Sequence, residues 1–103
     1  MIRLSVMYPS GAGTTFDLAY YCNTHIPLCR RLLGAALKGV SVDSGIAGGS
    51  LGAPAPYVAI GHFEFDSLDA FLAAVHPATE ELQGDIPKYT NATPVMQISE
   101  IKI

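Results

Sequence analysis

The chain has 103 residues, of which 50% are apolar and 15% charged, and its net charge is −3. Its length suits one domain spanning residues 1–103, and sparse lysine and arginine exclude the basic stripe that nucleic acid or an anionic membrane surface would need. No apolar run approaches the ~20 residues that cross a bilayer, while so high an apolar share exceeds what a small domain buries alone, so an oligomer is expected.

Met1 to Tyr8 alternates. Ile2, Leu4, Val6 and Tyr8 point one way and Arg3, Ser5 and Met7 the other, which predicts a strand with one apolar and one mixed face. Pro9 ends it, and Ser10 to Thr15 is a loop by composition. Arg3 is followed by Ser5 and Pro9 with no small-residue cleavage site, so no signal peptide is read and the expected location is cytoplasmic.

Phe16 to Gly34 reads FDLAYYCNTHIPLCRRLLG. Asp17 is a plausible N-cap, and Phe16 and Tyr21 are placed like a hydrophobic staple. Leu18, Tyr21, Cys22, Ile26, Cys29, Leu32 and Leu33 recur at helical spacing and predict one buried face, with Gly34 as the stop. Pro27 cannot bond the carbonyl of Asn23 and pushes Ile26 out of the helical region. A kink or short break is therefore expected over Asn23–Ile26, with His25 on it. His25 is either a titrating group beside freed backbone or merely the cap of the broken turn. Cys22 and Cys29 lie ~10.5 Å apart along one helix, beyond disulfide reach, and read as reduced core residues.

Leu37 to Ala47 predicts a second strand with Val40 and Val42 on one face and Ser41 and Asp43 on the other. The glycines and prolines of the next segment are turn chemistry and match no phosphate-binding loop. Tyr57 to Phe65 is the clearest strand. Tyr57, Ala59, Gly61, Phe63 and Phe65 share one face; Val58, Ile60, His62 and Glu64 share the other. Ala59 and Gly61 leave space above the sheet for another backbone or a ligand. His62 is read as a satisfied histidine in an interface between subunits. Asp66 or Ser67 caps a second helix whose Leu68, Phe71, Leu72 and Val75 are spaced for burial. His76-Pro77 interrupts it, Ala78 to Leu82 adds a turn or two, and Gly84 to Pro87 ends it. Lys88 to Pro94 reads as a polar loop and Val95 to Ile103 as a fourth strand.

The order βαββαβ with right-handed crossovers predicts an α+β, ferredoxin-like antiparallel sheet with two helices on one face. The other face must be covered by something. The first-helix motif resembles that of the EthD family, named for ethyl tert-butyl ether degradation: Phe-Asp, Tyr-Tyr, a His two residues before Pro, paired Arg and Leu-Leu-Gly. GVSVDSGIAGG, PYVAIGHFEFDSLDAF and GDIPKYTNATPVMQISEI continue the resemblance in order over nearly the whole chain. It implies a dimeric α+β barrel, in which a second copy covers the open sheet face.

A pocket is expected between sheet and helices, above Ala59 and Gly61, walled by the first helix. His25 is the expected catalytic acid or base, since an imidazole ordinarily titrates near neutral pH. Tyr20, Tyr21, Asp85, Tyr89 and Asn91 are the expected substrate-binding residues. Tyr89 or Tyr21 would hold a phenol or carbonyl oxygen, Asn91 would orient the substrate, and Asp85 would fix the His25 tautomer. No HxxxH, HExxH or CxxC pattern exists, so no metal is expected. His76 is the candidate for the haem ligand of some barrels in this superfamily, but Pro77 follows it directly, and no cofactor is expected. The resemblance implies a cofactor-independent oxidoreductase, or a related lyase or isomerase, acting on a small apolar or aromatic metabolite. A non-catalytic small-molecule-binding or accessory protein supporting an oxygenase system is the alternative.

Overall fold

The computed structural model describes residues 1–103. Its elements are β1 (Ile2–Pro9), α1 (Leu18–Tyr20), a π-helical turn (Tyr21–His25), α2 (Ile26–Leu33), β2 (Gly39–Ser44), β3 (Tyr57–Phe65), α3 (Leu68–Val75), α4 (Thr79–Asp85) and β4 (Val95–Glu100), with single 3₁₀ turns after α2, α3 and α4. The strands form one antiparallel sheet in the order β2-β3-β1-β4. The two helical arms, α1–α2 and α3–α4, bury Tyr21, Ile26, Cys29, Leu33, Phe71 and Ala78 in one core with Val6, Tyr8, Ala59, Phe63 and Phe65 of the sheet. This is the α+β ferredoxin-like fold of the dimeric α+β barrel class.

Local chemistry explains most boundaries. The Asp17 carboxylate accepts from the Tyr20 N–H at 3.0 Å, and the Ser67 hydroxyl from the Ala70 N–H at 3.1 Å, so each arm starts on a side-chain cap. The Phe16 and Tyr21 rings meet at 5.3 Å, completing the staple. Gly34 ends α2 at φ 60°, a left-handed backbone that a β-carbon disfavours. Strands β2 and β4 stop short of Ala47 and Ile103: their paired registers with β3 and β1 end at Ser44 and Glu100, and a single further backbone bond, from the Gly45 N–H to Val58 and from the Ile101 N–H to Met1, closes each.

The first arm departs from expectation at Pro27. The chain does not break: Ile26 keeps a helical backbone (φ −63°, ψ −44°), and its N–H bonds the Tyr21 carbonyl five residues back. The ladder slips by one residue ahead of the proline instead of snapping. A π-turn takes more residues per turn than an α-turn, so the buried line runs through Tyr21, His25, Cys29 and Leu33. Cys22 is turned outward and is exposed, not a core residue. On the second arm, Leu68 and Leu72 are also exposed, at 48% and 52%. Their stripe and that of Phe71, Val75 and Ala78 both satisfy helical spacing, and the arm's roll on the sheet buries only the second. The segment after α4 is less polar in setting than in composition: Tyr89 and Thr90 are buried, and Thr90 bridges to Phe16.

The sheet face away from the helices carries Arg3, Ser5 and Met7 of β1, Val58, Ile60, His62 and Glu64 of β3, Asp43 of β2, and Val95, Gln97 and Ser99 of β4, which the register places side by side. Nothing in the chain covers it. His62 is bonded within it, to Asp43 Oδ2 at 2.8 Å and to Ser5 Oγ at 3.3 Å.

Candidate functional site

A cavity of about 340 Å³ lies between the helical arms and the sheet. Leu4, Val6, Met96 and Ile98 of β1 and β4, with Phe63 and Phe65 of β3, form its sheet side. Tyr21, His25, Cys29 and Leu33 form one helical wall, and Phe71, Val75, Thr79, Leu82 and Gln83 the other. Fourteen of its seventeen lining residues are apolar. Its size falls in the range of small-molecule sites. It does not sit above Ala59 and Gly61 as expected. The Tyr21 hydroxyl occupies the place over Gly61, where a β-carbon would collide with it. The missing side chain admits another part of this protein, and the free volume moves toward β4, where Met96 and Ile98 are about half exposed.

His25 is buried at 6% exposure, and its Nδ1 lies 2.8 Å from Asp85 Oδ2. The Asp85 carboxylate also accepts from the Tyr20 hydroxyl at 2.8 Å and stands 3.7 Å from Lys88 Nζ. Burial pushes the Asp85 carboxyl up, but the bonds from His25 and Tyr20 and the nearby Lys88 outweigh it and hold it below the ordinary carboxylate range. An ionised carboxylate only accepts, so the Nδ1–H of His25 donates to it and Nε2 is the ring nitrogen left to exchange a proton. Nε2 has no hydrogen-bond partner in the protein and is not sealed off, and the cavity is the open volume that His25 lines. The pair thus presents one basic nitrogen to an apolar space.

The other expected site residues fall on different sides of this pair. Tyr21 lines the cavity. Tyr20 and Asp85 stand behind His25, facing a shallow polar groove with Thr24, Arg31, Glu81 and Lys88. Tyr89 is buried between them, with its ring 4.8 Å from His25 and its hydroxyl 2.7 Å from that of Tyr8, and it does not line the cavity. Asn91 is not brought to the site. Its Oδ1 accepts from the Thr15 N–H and its Nδ2 donates to the Gly13 carbonyl, which ties the loop after β1 to the segment before β4. His76 is exposed and outside the cavity. No three His, Cys, Asp or Glu side chains converge in a way that holds a metal.

Sequence reasoning missed Tyr8, Thr79, Gln83, Met96 and Ile98 as cavity residues. Alternation in β1 grouped Tyr8 with the apolar Ile2, Leu4 and Val6, and the register of β4 sets Met96 and Ile98 on that same face, but which part of it stays uncovered is not a periodic property. Burial pushes the Tyr8, Tyr21 and Tyr89 phenols above their ordinary value. It likewise pushes the Cys29 thiol up to about 12, with the Asp85 charge adding to it. All four stay protonated.

Residues 12–93 match the family model of the EthD domain. Among solved structures, an EthD-like protein from Ralstonia eutropha JMP134 is 43% identical and superposes with a TM-score of 0.94, over 99% of this chain and 92% of that chain. An ethyl tert-butyl ether degradation (EthD) family protein from Bacillus halodurans C-125 is 21% identical with a TM-score of 0.74, over 98% of each chain. HapK from Hahella chejuensis shares the fold at 18% identity and a TM-score of 0.62, over 98% of this chain and 92% of that chain. No match is found among curated proteins.

Proposed function

The chain belongs to the EthD family, and from that premise we propose that it is an enzyme that moves a proton on an activated carbon of a small apolar or aromatic molecule. The observation that carries this reading is the His25–Asp85 pair, bonded at 2.8 Å, with its free Nε2 at the wall of an apolar cavity. Nε2 takes the proton as the C–H bond breaks, and the electron pair stays on the substrate as a delocalised carbanion. The imidazolium that forms is stabilised by the Asp85 carboxylate. Returning the proton to another carbon gives an isomerase; giving it to a departing group gives a lyase. Passing the carbanion's electrons to dioxygen gives a cofactor-independent oxidoreductase, the sense in which a role in ether degradation would fit.

The working unit of this proposal is a homodimer formed through the open sheet face. Each ionisable side chain there already has a partner within the sheet, Arg3 with Glu64 at 2.9 Å and Asp43 with His62 at 2.8 Å, so burying the face leaves none of them without a hydrogen bond. Met7, Val58, Ile60 and Val95 supply the apolar contact. Ile60→Arg is expected to yield a monomer in sedimentation velocity; a dimer unaffected by it would place the interface elsewhere.

5-Nitrobenzisoxazole tests the chemistry. It is a small aromatic carbon acid that ring-opens to a coloured phenolate when a base removes its one acidic C–H. The wild type is expected to accelerate this at least about tenfold over His25→Ala, with probe binding retained in the variant. Equal turnover by His25→Ala would remove His25 as the base. Binding without acceleration in both proteins would favour the non-catalytic accessory reading.

A further inference from the structure

Helix α4 and the turn after it sort their side chains between two faces. Thr79, Leu82, Gln83 and Ile86 recur at intervals of three and four and line the cavity. Glu81, Gly84, Asp85 and Lys88 recur at the same intervals and line the shallow groove behind His25. Every charged side chain from Glu81 to Lys88 thus falls on the groove side, and no lysine, arginine, aspartate or glutamate lines the cavity. The cavity's tyrosine hydroxyls are closed to a ligand: that of Tyr8 is bonded to Tyr89 at 2.7 Å, and that of Tyr21 is sealed against Gly61. The Thr79 hydroxyl donates to the Val75 carbonyl at 2.9 Å, and the Cys29 thiol is a weak donor. Opposite His25, one strong donor group is left. It is the side-chain amide of Gln83, which is exposed and so stands where the cavity meets solvent.

We propose that Gln83 is the specificity-determining residue of this cavity: its amide donates to the oxygen of an uncharged carbonyl compound whose apolar body fills the space. The inference rests on the reading of the cavity as the substrate site and narrows it to neutral substrates. An ionised ligand would give up its water and find no carboxylate, ammonium or guanidinium among the lining residues, and an unpaired ion does not recover that cost. A carboxylate would in addition meet the Asp85 charge standing behind His25. A neutral carbonyl loses far less water, and one good donor offsets the loss. Sugars and other polyols are excluded for the complementary reason, since most of their hydroxyls would go unpaired against apolar walls. Asp85 lies two residues beyond Gln83 on α4, so the amide is within one helical turn of the contact that orients the base. A molecule held by its oxygen at Gln83 extends its apolar part toward the opposite wall, which includes His25.

Acetophenone, α-methylstyrene and benzoate share nearly one shape: a phenyl ring bearing a neutral C=O, a C=CH2 without oxygen, or a carboxylate. Each is titrated at neutral pH into the isotope-labelled full chain, and binding is read from the NMR signals of the cavity residues and of the Gln83 side-chain amide. The wild type is expected to bind acetophenone at least about tenfold more tightly than benzoate. Gln83→Leu removes the donor and adds apolar surface; Gln83→Glu keeps the shape and leaves only acceptors. Each is expected to lower the affinity for acetophenone relative to α-methylstyrene by about fivefold. Thermal melts near that of the wild type are expected for both, since the position is exposed. An unchanged ratio in either variant overturns Gln83 as the donor and leaves the cavity and the base untouched. Benzoate bound as tightly as acetophenone overturns the restriction to uncharged substrates. Failure of all three probes to shift any cavity residue overturns the cavity as a substrate site, and this inference with it.

Discussion

His25 Nδ1 and Asp85 Oδ2 stand 2.8 Å apart across 60 residues of sequence, and their bond joins the first helical arm to the end of the second. Both side chains are more than nine-tenths buried. One partner faces the apolar cavity and the other the polar groove, so the pair marks the boundary between a dry compartment and a wet one.

Asp85→Asn tests what that bond does. An amide can donate to Nδ1, which would leave the proton on Nε2 and the lone pair turned away from the cavity. Turnover of 5-nitrobenzisoxazole is expected to fall about tenfold or more with little change in KM. An unchanged kcat would mean that Asp85 plays no part in orienting the base.

The same carboxylate makes stability depend on acid. Its folded pKa lies below the ordinary value, so its contribution is complete above pH ~3.9 and is lost as pH falls through the folded value. Thermal melts from pH 7 downward are expected to show wild-type Tm falling steeply at the acid end. Asp85→Asn should start lower and lose less over that window; parallel curves would contradict the assignment.

The π-turn separates the two cysteines chemically. Cys22 is exposed, while Cys29 is buried with its thiol pushed up to about 12, and only a thiolate reacts readily. Native protein is expected to take up one equivalent of a thiol-reactive disulfide reagent quickly and two once unfolded. Peptide mapping should find the first at Cys22. Equal rates at both would mean that the first arm is not folded as described.

Gly61→Ala should be costly for a reason that is not backbone strain. Its β-carbon would collide with the Tyr21 hydroxyl and approach the Phe63 ring at 3.0 Å. A destabilisation of about 1–3 kcal/mol is expected, as for an overpacked core. Adding Tyr21→Phe removes the colliding oxygen and should recover part of it, giving a measurable coupling in a double-mutant cycle. Independent, additive effects would show that the two residues do not touch.

Strand faces and helix ends are local properties, and they were legible in the residues. The period of two in Tyr57–Phe65 sorted core from open face over the whole of β3, and Asp17, Ser67 and Gly34 marked three helix ends through groups that act within a few positions. The family motif singled out His25, Tyr21, Asp85 and Tyr89, which the fold gathers in and around one cluster. Asn91 belonged to the same run of residues and went to a loop instead.

What the tertiary structure alone decided depends on how packed elements roll and slip. Periodicity allowed two apolar stripes on α3, and docking onto the sheet selected Phe71, Val75 and Ala78 over Leu68 and Leu72. Pro27 predicted a disruption but not its form, because a break and a one-residue slip satisfy the same missing N–H; packing of His25 against Tyr21 and Tyr89 accompanies the slip. The sequence by itself determined which residues could do chemistry and, in the strands, which of them share a face. The approach of Asp85 to His25 and the seating of Tyr21 on Gly61 join residues far apart in the chain. So does the opening of the cavity toward β4, and no local spacing encodes a contact that exists only once the arms have docked.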